Sequence, residues 1–405
     1  MKFVPVSAEH VEAQEKLPFD LFDANGRLLL PANEPLLDPA LRARLRVRGA
    51  VFAEARSVQA WRRRVMQAAD DLVRRNAPLT RIAKATPSRP AMTGDGAQAG
   101  TQWDDLLQLL DAALAQPQPD SPWLERVLDV HAHVQSLAQQ RLDEALFHFI
   151  YQGARHAHDY SSHQALRCML IAGAVARTLG WDAELVEAVE KAALTMNVAM
   201  RRLQDRLALQ PTAGIGEDAR EQIERHPVDS ARLLAQAGVH DPLWLQAVRL
   251  HHDDSLEGQP LEQLTPGQRL ALLLRRVDIY AAVLSRRVAR SPLTPMEAAR
   301  KVCLGADGRP DVIGAALLKT MGLYPPGSFV QLDSQEKGVV LTRGTRVDQP
   351  LVAILVNARG EPLIEPRLRD TSMPGCAVRA ALPARQVPVE PAPGHWAALH
   401  KVGRA

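Results

Sequence analysis

Between Gln139 and Gly180 apolar residues recur at helical spacing through two long stretches, Arg141 to Ala157 and Ser162 to Leu179, parted by the polar turn around Asp159-Tyr160-Ser161-Ser162. A 3.6-residue period sustained this long predicts amphipathic helices, and two in tandem commit the middle of the chain to a helix-on-helix core. Ser161 or Ser162 reads as the N-cap of the second helix. The pattern continues in both directions. Upstream come Trp103 to Leu110 and a long helix from Trp123, with a break from Pro117 to Pro122. Downstream, Gly180-Trp181-Asp182 ends one helix and caps the next, which carries Leu185, Val186, Val189, Ala192, Ala193 and Leu194. After a loop at Gly214 and Gly216, helices are expected at Glu217 to Arg225, Val228 to Gln236, Pro242 to His252, Pro266 to Arg290 and Pro295 to Cys303.

The two ends have a different texture. Leu17 to Asp23 alternates, Ala24-Asn25-Gly26 supplies a turn and Arg27 to Pro31 returns as a second strand. Asp38-Pro39 opens a helix through Arg46, and Ala50 to Ala53 is a closing strand, so 1–56 reads as a small N-terminal α+β unit. Residues 57–138 hold helices, the first from Ser57 to Asn76, and a Pro/Gly-rich linker at 84–100. Beyond Pro325-Pro326-Gly327 the short runs Ser328 to Leu332, Gly338 to Thr342, Leu351 to Val356 and Pro362 to Ile364 read as strands of a β module over 326–370. The proline-rich remainder, 371–405, is expected to stay disordered.

Composition excludes several classes. Ala and Leu dominate and Arg outnumbers Lys, which favours helix. A net charge of +3 gives no reason to expect nucleic acid or an anionic membrane as partner. Cys168, Cys303 and Cys376 lie far apart and offer neither a disulfide framework nor a metal knuckle. The N-terminus has no signal-peptide stretch, and the longest apolar run, Cys168 to Ala176, is far short of the roughly 20 residues that cross a bilayer. A reducing, cytoplasmic location without membrane insertion is the expectation.

Within the helical region a set of polar residues stands out: Asp159 and His163, four apart; His226 before Pro227; the doublet His251-His252; and Asp278 in an apolar helix. Imidazoles and carboxylates together suit Fe, Mn or Zn. Asp159 and His163 share a face if their helix begins early enough, and a helix end can turn both His251 and His252 toward one cavity. Each has a bland alternative. Taken alone, a histidine before proline such as His226 is more often a cap or surface residue than a ligand, and Asp278 reads equally as an ion-pair partner of Arg275, Arg276 or Arg287. His131 and His133 at i, i+2 fall on different faces and read as surface histidines.

The order and spacing of the set carry more than any member. Residues from about 145 to 325 resemble the HD-GYP domain, a helical phosphohydrolase family that hydrolyses the bacterial messenger cyclic di-GMP. The matching stretches are Asp159-Tyr160-Ser161-Ser162-His163, Ile223-Glu224-Arg225-His226-Pro227, Val248-Arg249-Leu250-His251-His252-Asp253 and Val277-Asp278-Ile279-Tyr280. The resemblance implies a mainly α protein whose central all-helical HD-type domain, 139–325, is flanked by the N-terminal α+β unit and the C-terminal β module. It also implies that Asp159, His163, His226, His251, His252 and Asp278 are the metal-binding set.

The departures bear on function. Where the family has its His-Asp dyad, then Gly and Lys, this chain has Met196-Asn197 and then Ala199-Met200; where it has Gly-Tyr-Pro, this chain has Gly258-Gln259-Pro260. By family analogy the dyad aspartate bridges metals. Asn197 lacks the charge that offsets two adjacent dications, Met196 offers a thioether that suits Cu(I), and Met200 removes a cation that would stabilise charge on phosphate. The resemblance with these losses implies a catalytically degenerate signalling domain with a vestigial or reduced site and no resident cofactor, or else one divalent metal (Fe, Mn or Zn). The partners it implies are cyclic di-GMP or a diguanylate cyclase domain, and the alternative is a phosphodiesterase working with a reduced site.

Overall fold

The computed structural model describes residues 3–6, 20–22, 28–30 and 51–54 of a first unit, Met1–Gly94, and, with short breaks, 99–402 of a second, Asp95–Ala405. In the first unit strands β1 (Phe3–Val6), β2 (Leu21–Phe22), β3 (Leu28–Leu30) and β4 (Val51–Glu54) form an antiparallel sheet in the order β1-β4-β2-β3. Phe22 pairs with Phe52, and Leu21, Leu30 and Ala53 are buried. The sequence pattern missed β1, which has no partner within its own neighbourhood and pairs across 45 residues or more with β4. The expected turn at Ala24-Asn25-Gly26, the helices Asp38 to Arg46 and Ser57 to Asn76, and nearly all of the 84–100 linker lie outside the described residues.

The second unit is mainly helical, as expected: α1 (Ala99–Leu114), α2 (Trp123–Arg155), α3 (Tyr160–Thr178), α4 (Ala183–Thr195), α5 (Arg201–Leu209), α6 (Glu217–Gln236), α7 (Pro242–Leu250), α8 (Pro266–Val283), α9 (Pro295–Cys303) and α10 (Val312–Met321). The centre is α3, whose residues from Leu166 to Ala176 are all buried. A helix apolar on every side belongs inside a bundle, and α1, α2, α4, α5, α8 and α10 pack around it. Among the described residues no helix is long and apolar enough to cross a membrane.

Several boundaries differ from the sequence reading for local reasons. The helix expected to start at Arg141 is the second half of α2, which kinks there (φ −136°, ψ 37°) without ending. The N-cap of α3 is Asp159 and neither serine; Ser161 instead bonds the Asp205 carboxylate through its N–H (2.8 Å) and hydroxyl (3.0 Å), and Ser162 donates to Asp111 (2.8 Å). Pro227 does not split 217–236 into two helices. His131 is buried against Glu190 at 3.1 Å and is not a surface histidine. Short α5 and α10 escaped the periodicity reading altogether.

The C-terminal sheet is antiparallel, in the order β8-β7-β6-β5-β9, from β5 (Phe329–Leu332), β6 (Lys337–Thr342), β7 (Leu351–Val356), β8 (Pro362–Asp370) and β9 (Val378–Leu382). Strand alternation divides its residues. Phe329, Val339, Leu341, Ala353 and Leu355 face Phe147 and Tyr151 of α2, while Val330, Val340, Val352 and Ile354 form the other apolar layer. The expectation of a disordered tail is corrected here. β9 adds to β5 with Phe329 opposite Leu382, and in α11 (Pro393–Val402) the Trp396 ring lies 4.9 Å from Phe147 and 5.3 Å from Tyr151. Arg155 tethers the prolines between them by donating to the Val387 and Val389 carbonyls, each at 2.9 Å. An aromatic anchor and a strand partner outweigh composition.

Candidate functional site

Three histidines meet at the junction of α6 and the end of α7. The ligand atoms of His226, His251 and His252 all lie within 4.8 Å of one another. His226 and His251 are buried, and His252 is exposed.

The local sequence explains their orientation. Pro227 has no N–H, so inside α6 the carbonyl of Ile223, four residues back, loses its helical donor. The Nδ1 of His226 takes that carbonyl instead, at 2.5 Å. His251 caps α7, where the last carbonyls lack helical partners, and its Nδ1 takes the Val248 carbonyl at 2.7 Å. A carbonyl only accepts, so both Nδ1 atoms carry the hydrogen. In the neutral rings both Nε2 atoms are then bare lone pairs, and they face each other at 3.2 Å.

Electrostatics keeps those rings neutral. Burial pulls His226 down to about 4, opposed by its Ile223 hydrogen bond and, more weakly, by the Asp278 carboxylate. Burial, then the neighbouring His252 and His226, push His251 well below the ordinary histidine range. His252 is likewise lowered by desolvation, with Asp278 opposing. Two lone pairs in contact and disinclined to take a proton are suited to a cation that imidazole binds. Nδ1–H held by a carbonyl with Nε2 free is also the arrangement of a metal-ligating histidine. The residues present therefore fit one borderline divalent ion.

Asp278, on α8, is not one of the three grouped residues, but its charge acts on His226 and His252. Its Oδ1 accepts from Gln164 Nε2 at 2.9 Å, and its backbone carbonyl accepts from the same amide at 3.0 Å. Gln164 is held in turn by the fully buried Arg167, Nη2 to Oε1 at 3.0 Å, and Arg167 Nη1 donates to the Phe149 carbonyl at 3.1 Å. Asp278 makes no ion pair with the three arginines weighed from sequence. Arg275 pairs with Asp254 and Glu257, Arg276 with Glu257 and Asp311, and Arg287 donates to Tyr160. The sequence reading missed Gln164 and Arg167. Their signal was two long polar side chains, three apart, inside an otherwise apolar stretch.

His163 and Asp159 do not join the three-histidine group. The His163 ring stands edge-on to Phe149 at 5.9 Å, and its pKa falls well below the usual value through burial, then the charge of Arg167. Asp159 sits at the α3 N-cap with left-handed backbone (φ 50°).

Met196, Asn197 and Met200, which the resemblance sets against the family's dyad region, lie in and beside the apolar core. Met196 has no exposed surface and belongs to the apolar core. Asn197 begins a 3-10 turn, Val198–Met200, with its Oδ1 buried and without a hydrogen-bond partner. Met200 is buried too. The turn packs on α6 and is pinned there by Ala199 N–H donating to the buried Ser230 hydroxyl at 3.2 Å. Gln259 is exposed, turned back on the Ser255 carbonyl at 2.6 Å.

No protein-family model matches the chain. Over 217 residues, 53% of its length, it is 26% identical to a cyclic di-GMP phosphodiesterase of Pseudomonas aeruginosa, and the chain spans about half (52%) of that relative. Among solved structures, an HDG"Y"P protein from Bdellovibrio bacteriovorus aligns over 78% of this chain and 99% of its own at 13% identity, with a TM-score of 0.40.

Proposed function

We propose that the chain is a cyclic di-GMP signalling protein whose HD-type domain has lost hydrolysis and acts by binding a nucleotide or a protein partner, with a diguanylate cyclase domain as the candidate protein. The observation that carries the reading is Met196, sealed in the core where the dyad histidine would stand. With Asn197 beside it, the second half of a two-metal clamp has neither a ligand nor the charge to offset another dication. The nucleotide is taken from the activity of the Pseudomonas aeruginosa relative.

His226, His251, His252 and Asp278 would hold one ion. Bound there, a divalent metal supplies Lewis acidity toward a phosphate oxygen. Asp278 offers charge, Gln164 orients it, and Asn197 keeps an oxygen without charge. These lone pairs favour a second reading, a phosphodiesterase with a mononuclear site.

The test is incubation of purified protein with cyclic di-GMP and Fe, Mn or Zn, alongside binding by calorimetry. Saturable binding without turnover is expected. Metal-dependent hydrolysis abolished by His251→Ala with His252→Ala would replace the proposal with the second reading.

A further inference from the structure

A cavity of about 700 Å³ opens between α2, α3, α4, α10 and strand β6, sharing no residue with the histidine corner. On its wall α2 leaves helical geometry at Arg141, which donates to Gln102 of α1 at 3.0 Å and pairs with Glu144. The carboxylates lining it are already engaged. Glu190, 3% exposed, accepts from Gln135 at 2.9 Å and Arg177 at 2.7 Å and contacts His131 at 3.1 Å. Its side chain runs so close over α3 that a Cβ on Gly173 would lie 2.1 Å from Oε1. Asp143 accepts from the Arg343 N–H at 3.1 Å and Nε at 2.5 Å.

What the wall has left over is donors. Arg177, with 48% of its side chain exposed, uses only Nη2, and Arg343 uses Nε and Nη1 but not Nη2. A cation entering here meets saturated carboxylates, whereas an oxyanion meets guanidinium edges suited to it. Leu142 and Met169 line the same space, and its volume is that of small-molecule sites.

We propose that this cavity binds a small organic oxyanion, a phosphate or carboxylate on an apolar body, with the anion on Arg177 and Arg343 and the body against Leu142 and Met169. Its walls come from both the helical bundle and the C-terminal sheet, so occupancy ties the two together. The site is independent of the reading of the histidine corner.

The test is calorimetric titration of the full chain with phenyl phosphate, phenylacetate and inorganic phosphate. Saturable binding of phenyl phosphate or phenylacetate is expected, at least tenfold tighter than inorganic phosphate; whichever binds identifies the oxyanion. Arg177→Gln should weaken it at least tenfold. Because that change also strips Glu190 of a partner, Ala174→Leu, which narrows the cavity without altering charge, is the second variant and should abolish binding. The proposal is overturned if neither aromatic probe saturates, if inorganic phosphate binds as tightly as both, or if folded Ala174→Leu protein binds like the wild type.

Discussion

The Nε2 atoms of His226 and His251 face each other at 3.2 Å while each ring's other nitrogen is committed to a backbone carbonyl. Neutral rings so arranged repel, and a shared cation removes the repulsion. The expected stoichiometry is one divalent ion per chain, lost in His226→Ala or His251→Ala, by elemental mass spectrometry on untagged protein. Metal at a hundredfold excess over its Kd should stabilise the fold by about 3 kcal/mol. A ratio of two ions per chain would overturn the single-ion site proposed above.

The metal-free protein should be acid-sensitive. The folded pKa of His226 is pulled down to about 4 from an ordinary 6.5, so below pH 6.5 the unfolded chain takes up a proton the folded one refuses. The stability is fully present above pH 6.5 and declines as pH falls toward 4, by up to ~3 kcal/mol from this group. His251, lowered in the same direction, adds to the slope. Urea unfolding across pH 4 to 7 measures it, and His226→Gln should flatten the profile.

Gly153 carries a hidden constraint. A Cβ there would lie 2.0 Å from Arg167 Nη1. Gly153→Ala should displace a buried guanidinium that supports Gln164 and, through it, Asp278, at a cost of about 2–4 kcal/mol by thermal unfolding. The milder Gln164→Leu should leave the fold in place and weaken metal binding by about 10–100-fold, the usual effect of removing a group that orients a ligand. Wild-type metal affinity in Gln164→Leu would remove Asp278 from the ion's surroundings.

The cysteines should separate cleanly. Burial pushes Cys303 up to about 11 and Cys168 well above the ordinary thiol value, while Cys376 is only half-buried. Native alkylation followed by mass spectrometry should label Cys376 alone at pH 8, with the other two reacting after denaturation. Early labelling of Cys168 would mean that α3, the core helix, opens locally.

The helical bundle was legible because periodicity reports burial directly: Pro295 to Cys303 came out with its true limits, and α3 to within two residues at its start. Pro227 misled because proline statistics describe isolated helices, whereas here a side chain replaces the lost donor. Of the six residues singled out by order and spacing, His226, His251 and His252 come together, while His163, Asp159 and Asp278 do not join that group, since four-residue spacing fixes a shared face and not the wall that face meets. Gln164 stayed invisible because its task depends on Asp278, 114 residues away. The tail was misjudged because composition says nothing of Trp396 finding Phe147.

The carbonyl that Pro227 releases has a consequence beyond one ring. Each histidine of the facing pair takes its aim from the backbone three residues before it, so neither needs a bound ion, or the Met196–Met200 turn, to hold its pose. The aim of the two rings is therefore written into α6 and α7 alone, and a substitution in the Met196–Met200 turn should leave the facing nitrogens where they stand.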